Sequence, residues 1–113
     1  MSKDSSIFID HILESIAAVE EYTAGLSKED FLNGRQIQDA VIRRLEVIGE
    51  AARHLPQETR NLYSEVEWKQ IVALRNLLIH EYFGVNLDLV WKVVQSDVPK
   101  LKSLLVRMQE KVA

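Results

Sequence analysis

The sequence contains no cysteine. That excludes a disulfide framework and a thiolate-bound metal centre. A chain without covalent staples suits a reducing compartment, so a cytoplasmic location is expected. Proline occurs only at Pro56 and Pro99, and glycine only at Gly25, Gly34, Gly49 and Gly84. Punctuation this sparse leaves long segments free to be helical. No apolar run approaches the roughly 18 residues a membrane span needs. The opening residues Met1 to Ser6 lack the apolar core of a signal peptide, and no segment alternates apolar and polar residues as a half-buried strand does. Positive charge is not in excess either. The formal net charge of −3 argues against a protein that coats nucleic acid without specificity. It leaves room for a local grip, because Arg35, Arg43, Arg44, Arg53 and Arg75 all fall in the middle of the chain. Charge alone does not separate a gathered site from arginines that merely solvate helix faces.

What is present is helical periodicity. Ile9, Ile12, Leu13, Ile16 and Val19 recur at three- and four-residue steps and predict one amphipathic helix, ended by Gly25. Ser27 is suited to cap a short helical turn through Phe31 and Leu32, broken by Asn33-Gly34. A second long helix is expected from about Arg35 to Leu55, with Ile37, Val41, Leu45, Ile48, Ala52 and Leu55 on one face and Pro56 as its stop. Gly49 lies inside it at a cost of about 1 kcal/mol relative to alanine, which suggests that another helix approaches closely there. Residues 57–67 read as a loop with at most one helical turn. A third helix is predicted from about Val66 to His80, its apolar set being Trp68, Ile71, Val72, Leu74, Leu78 and Ile79. The last segment, Asn86 to Val112, is helical in pattern but interrupted by Pro99, so a kink or a fresh start capped by Ser96 or Asp97 is expected. The predicted architecture is an all-α antiparallel bundle of four main helices, the last kinked or broken near Pro99. With no repeat, linker or low-complexity tract, residues 1–113 are expected to form one domain.

The chemistry is concentrated in Arg75-Asn76-Leu77-Leu78-Ile79-His80-Glu81-Tyr82. Asn76 and His80 are i and i+4, stacked on one helix face. Arg75 sits beside them, and Tyr82 lies just past the expected helix end. These groups suit RNA cleavage. RNA carries its own nucleophile, the 2′-hydroxyl, so a catalyst need only move protons and stabilise a pentacovalent phosphorane. Imidazole titrates near neutrality and can do the first; a guanidinium, with its planar fork of donors, can do the second. No metal or other cofactor is expected, since His11, His54 and His80 fall on separate elements without carboxylates at ligand spacing. The spacing is equally compatible with plain structure: cations favour helix C-termini, and a tyrosine there can be a core aromatic.

The motif Arg75-x4-His80-x-Tyr82 resembles the signature of HEPN-superfamily ribonucleases, specifically HepT-like toxins. Val41 to Ala52, centred on Ile48-Gly49-Glu50-Ala51, resembles that family's second helix, and Leu26 to Phe31 its first interhelical turn. Trp68-Lys69-Gln70-Ile71 and Asp88-Leu89-Val90-Trp91 also fit, so the likeness runs from about Ile7 to Leu105. The resemblance implies a metal-independent RNA endonuclease acting as the toxin of a toxin–antitoxin pair. His80 would then be the general base or acid, Arg75 would bind the scissile phosphate, and Asn76 would orient the phosphate or the histidine. Tyr82 would be the residue to which a nucleotidyltransferase antitoxin adds AMP. A homodimer is implied as well, and it has a physical motive: one motif supplies one histidine, whereas acid and base catalysis needs two proton-handling groups. A higher assembly with the antitoxin stays open. The alternative is a non-catalytic helical adaptor that binds a nucleotidyltransferase partner. Gly49 and Glu50 are open between intrachain packing with a solvent-facing carboxylate and a role in dimer contact. His54 reads as a cap charge, His11 and Glu81 as exposed residues, and Trp68 and Trp91 as core or interface anchors.

Overall fold

The computed structural model describes residues 3–81 and 84–112 and is helical wherever it is regular. Helix α1, Lys3–Thr23, forms because its apolar residues fall on one stripe: Ile9, Ile12, Ile16 and Val19 are all sealed from solvent. Each is worth roughly 1.5–3 kcal/mol of burial. Gly25 adopts φ +75, the left-handed turn that lets the chain reverse. Ser27 then caps α2, Lys28–Leu32, with its hydroxyl accepting from the Asp30 amide while the Asp30 carboxylate accepts from the Ser27 amide. This short helix drives Phe31 into the core, where its ring packs 5.3 Å from that of Trp91.

Helix α3, Arg35–Arg53, lies at the centre of the bundle and packs against both α1 and α5. Its buried face, Val41, Leu45, Ile48, Ala51 and Ala52, follows the predicted stripe. The helix stops two residues before the expected Leu55, which is nonetheless buried. The predicted loop after it is more ordered than expected. Pro56, with φ −63, opens a helix α4, Gln57–Leu62. Arg60 reaches back from α4 to donate to the carbonyls of Ala52 (3.0 Å) and Arg53 (3.4 Å), tying α4 to the C-terminal end of α3. Tyr63 follows, fully buried, its hydroxyl without a hydrogen-bond partner among the described residues. Its carbonyl accepts from the Trp68 indole at 3.1 Å, which anchors the start of α5, Trp68–His80. Val66 is therefore core but not yet helix.

The final stretch is continuous: α6, Leu87–Lys92, a π-helical turn over Val93–Asp97, and α7, Val98–Val112. The interruption expected at Pro99 takes this widened form, not a fresh start capped by Ser96 or Asp97. Pro99 has no N–H to give the Gln95 carbonyl, and its ring would press on that group in a tight α-turn. The Val98 amide instead pairs five residues back with Val93, and the chain stays helical through the proline. The bundle thus consists of α1, α3, α5 and the α6–α7 stretch, antiparallel in topology as predicted. No described helix is long and apolar enough to cross a membrane.

One predicted core position is wrong. Ile79 is 40% exposed, as is its neighbour Leu77 at 42%. Helix α5 is apolar on more than one face, so periodicity alone did not reveal which side meets α3.

Candidate active site

Helices α3 and α5 meet at Gly49. A side-chain carbon built there would lie 2.2 Å from Arg75 Cβ and 2.8 Å from Arg75 Cγ. Only glycine lets α5 bring Arg75 this close, which accounts for a residue that costs helix stability. The close approach is within the chain.

Arg75 is thereby pressed against the next residue of α3. Its Nη2 sits 2.8 Å from Glu50 Oε2, and its Nη1 donates to Asn76 Oδ1 at 2.8 Å. Its side chain is only 20% exposed. The ionic contact is close but not aligned as a hydrogen bond. Glu50 Oε2 and the buried Nε of Arg75 both lack a hydrogen-bond partner among the described residues. The guanidinium is thus fixed in place; its Nε is sealed from solvent, so an incoming oxyanion would meet only the part of the side chain that stays exposed.

Glu50 is the hub. Its other oxygen, Oε1, lies 2.9 Å from His54 Nε2, one helical turn on, and Arg53 Nη1 approaches Oε2 at 3.9 Å. An ionised carboxylate only accepts, so His54 Nε2 carries the shared proton. That hydrogen bond holds the Glu50 carboxyl below its ordinary 4.5; desolvation opposes it, and the charges of Arg75 and Arg53 reinforce it. The folded-state value is depressed, so the network adds stability above the ordinary carboxylate range and loses it as pH falls through the depressed value. Thermal melts of wild-type and Glu50→Gln protein should therefore differ most near neutrality and converge as the solution is acidified below about 4.5. A gap that stays constant with pH would show that Glu50 carries no coupled charge.

His80 closes α5, exposed, one turn past Asn76 and on the same face. Arg75 and Ile79 occupy the neighbouring stripe and line a groove between α1, α3 and α5. Among the described residues no side-chain hydrogen bond joins His80 to Arg75 or Asn76, so one chain brings arginine and asparagine into contact and leaves the histidine facing outward. Tyr82 lies outside the described residues. Glu81 is exposed, as is His11. Of the five central arginines, Arg43, Arg53 and Arg75 gather around the groove or its Glu50 hub. His54 is the C-terminal cap of α3, as read from the sequence, and also a member of this network. Sequence reasoning left Glu50 undecided and missed its link to His54, although their i,i+4 spacing was the available signal. No cluster of three or more histidine, aspartate or glutamate side chains is arranged to hold a metal ion among the described residues.

Comparison with known proteins gives this geometry a family. The family described as ribonuclease HepT-like matches residues 12–108. A "Probable ribonuclease HepT" of Thermococcus cleftensis is 37% identical over 110 residues, covering 97% of this chain and 100% of its own. A "Putative RNase" of Methanocaldococcus jannaschii is 48% identical over 103 residues, 90% of this chain and 94% of its own length. A longer protein of the same organism, named "Gamma-glutamylcyclotransferase and putative RNase", is 47% identical over 112 residues, and the chain spans 50% of its length. No solved structure matches. The matched span takes in Gly49, Glu50, Arg75, Asn76 and His80, and the chain belongs to the HepT-like ribonuclease family.

Proposed function

We propose that this protein is an RNA endonuclease that cleaves without a metal ion, and that it is the toxin of a toxin–antitoxin pair. The observation that carries the reading is the Arg75 guanidinium. It is held between Glu50 and Asn76 with a fifth of its side chain exposed, and His80 stands exposed one turn beyond Asn76. Arg75 binds the scissile phosphate and stabilises the charge that grows on its equatorial oxygens. Asn76 fixes the guanidinium plane. His80 takes the 2′-hydroxyl proton as the 2′-oxygen bonds to phosphorus, and the bond to the 5′-oxygen breaks. A second imidazole returns a proton to that leaving oxygen, so the products are a 2′,3′-cyclic phosphate and a 5′-hydroxyl.

That second imidazole is His80 of another copy of the chain. Both copies face a shared cleft in a homodimer, which is why His80 points outward. Tyr82 is the regulatory site. A nucleotidyltransferase antitoxin transfers AMP from ATP to its phenol oxygen, releasing pyrophosphate and filling the cleft with anion.

The test is direct. Purified protein is incubated with total RNA, with and without EDTA, beside a His80→Ala variant. Cleavage that persists in EDTA and disappears in the variant is expected. Equal cleavage by both proteins would remove the mechanism, and intact RNA in every lane would favour the adaptor reading. Peptide mass spectrometry after co-expression with the partner should find one AMP on the fragment carrying Tyr82.

A further inference from the structure

His54 is held more firmly than a helix cap requires. Its side chain is 52% exposed, yet its ring plane is fixed twice. Glu50 Oε1 accepts from its Nε2, and the Phe8 ring of α1 stacks on one of its faces, with centroids 5.6 Å apart and planes 14° apart. His11 meets the edge of the same Phe8 ring. A cap charge works through the helix dipole and needs no such orientation. What the arrangement does produce is a flat, preorganised imidazole with half of its surface still exposed.

We infer that this exposed ring of His54, backed by Phe8, is a stacking platform for a nucleobase of the RNA adjoining the phosphate at Arg75. The inference rests on the nuclease reading for the phosphate, but the platform itself follows from the rings. Guanidinium and imidazole sit on the two oxygens of one carboxylate, Glu50, and so are close neighbours in the groove. Ile79, otherwise an unexplained exposed residue, lines the same groove and supplies an apolar wall. The groove volume, about 380 Å³, is in the range that small ligands occupy.

Charge decides which part of the nucleotide the groove holds. Its two arginines are each matched by a glutamate, Arg75 by Glu50 at 2.8 Å and Arg43 by Glu46 at 3.7 Å. The lining therefore has no excess positive charge beyond its histidines, and long-range attraction for the RNA backbone is small. Aromatic and apolar surface remains, and this favours the base. Stacking tolerates any base, so the subsite strengthens binding and sets register without imposing a strict sequence.

The experiment uses a short fluorescent 2′-O-methyl RNA, which cannot be cleaved because its nucleophile is blocked. Binding is read by anisotropy, alongside a set of the same strand with one abasic position moved along it. His54→Ala should weaken binding about tenfold, whereas His54→Phe, which keeps a flat ring but also loses the Glu50 contact, should stay within about threefold of wild type. At one position the abasic strand should cost wild type a similar factor and cost His54→Ala nothing more, because base and ring are two halves of one contact. Cleavage of the unmodified strand is measured in parallel. Wild-type binding unchanged by His54→Ala, a full abasic penalty retained in that variant at every position, or no binding by wild type each overturns the platform. If cleavage is present and the contrasts are absent, the platform fails and the nuclease stands. Contrasts without cleavage give the reverse.

Discussion

Arg75→Lys protein is expected to lose RNA cleavage by about two to three orders of magnitude while its bundle stays folded. Lysine keeps the charge and most of the aliphatic stem, so packing over Gly49 is largely preserved. It loses the planar fork. The guanidinium faces Glu50 with one nitrogen and donates to Asn76 with a second, so its plane is set before a substrate arrives. An ammonium is a single point that cannot hold both contacts and still face a phosphate, and its strong preference for one oxygen will be met by Glu50. Arg75→Ala is the poorer test, because it leaves the Glu50 carboxylate without its nearest cation and confounds activity with stability. His80→Ala should cost a comparable or larger factor through a different step, the proton transfer, and exposed His80 should contribute little to the fold. Single-turnover rates measured beside thermal midpoints separate the two causes. Either variant cleaving at the wild-type rate would overturn the assignment of that residue.

The helices of the bundle were legible because burial and periodicity coincide where a helix has one wet face. The stripe of α1 and the inner face of α3 satisfy that condition, and Gly25 and Ser27 mark their own ends chemically. Helix α5 does not satisfy it. Leu74, Leu77, Leu78 and Ile79 surround it, and only contact with Gly49 decides that Leu78 is core while Leu77 and Ile79 face outward. The turn around Tyr63 was hidden for a related reason. Its polar flanks resemble a loop, and its burial depends on Trp68 and the Arg60 tie to α3, both tertiary contacts. In the site, Arg75, Asn76 and His80 stood out because they are close in sequence and chemically reactive. Glu50 did not, because a carboxylate on a helix is usually a solvated charge, and its partner Arg75 is brought to it only by folding. The glycine beside it was the clue: a helix that accepts the cost of Gly49 must be crowded there, and the neighbouring side chain shares the contact.

That crowding makes Gly49→Ala a severe substitution despite its size. On helix propensity alone, alanine should stabilise α3 by about 1 kcal/mol. The added methyl would instead lie 2.2 Å from Arg75 Cβ, 2.8 Å from Arg75 Cγ and 3.3 Å from the Ile71 carbonyl oxygen. Cβ is bonded directly to the α5 backbone, so rotating the side chain can shift Cγ but cannot clear Cβ, and α5 has to move away from α3. Overpacking of this kind costs about 1–3 kcal/mol, and here it also opens the contact that holds Leu78. A net loss of about 2 kcal/mol is expected in chemical denaturation. Cleavage should fall with it even under conditions where the protein is folded, because the same displacement draws Arg75 off Glu50. Gly84→Ala, with nothing within 4 Å, is the control and should leave α3–α5 packing unchanged. Adding Arg75→Gly to Gly49→Ala removes both clashing carbons, so the pair should be more stable than the sum of the single changes while remaining inactive. Gly49→Ala protein that is more stable than wild type would mean that α3 and α5 are not in this contact, and the placement of Arg75 against Glu50 would fall with it.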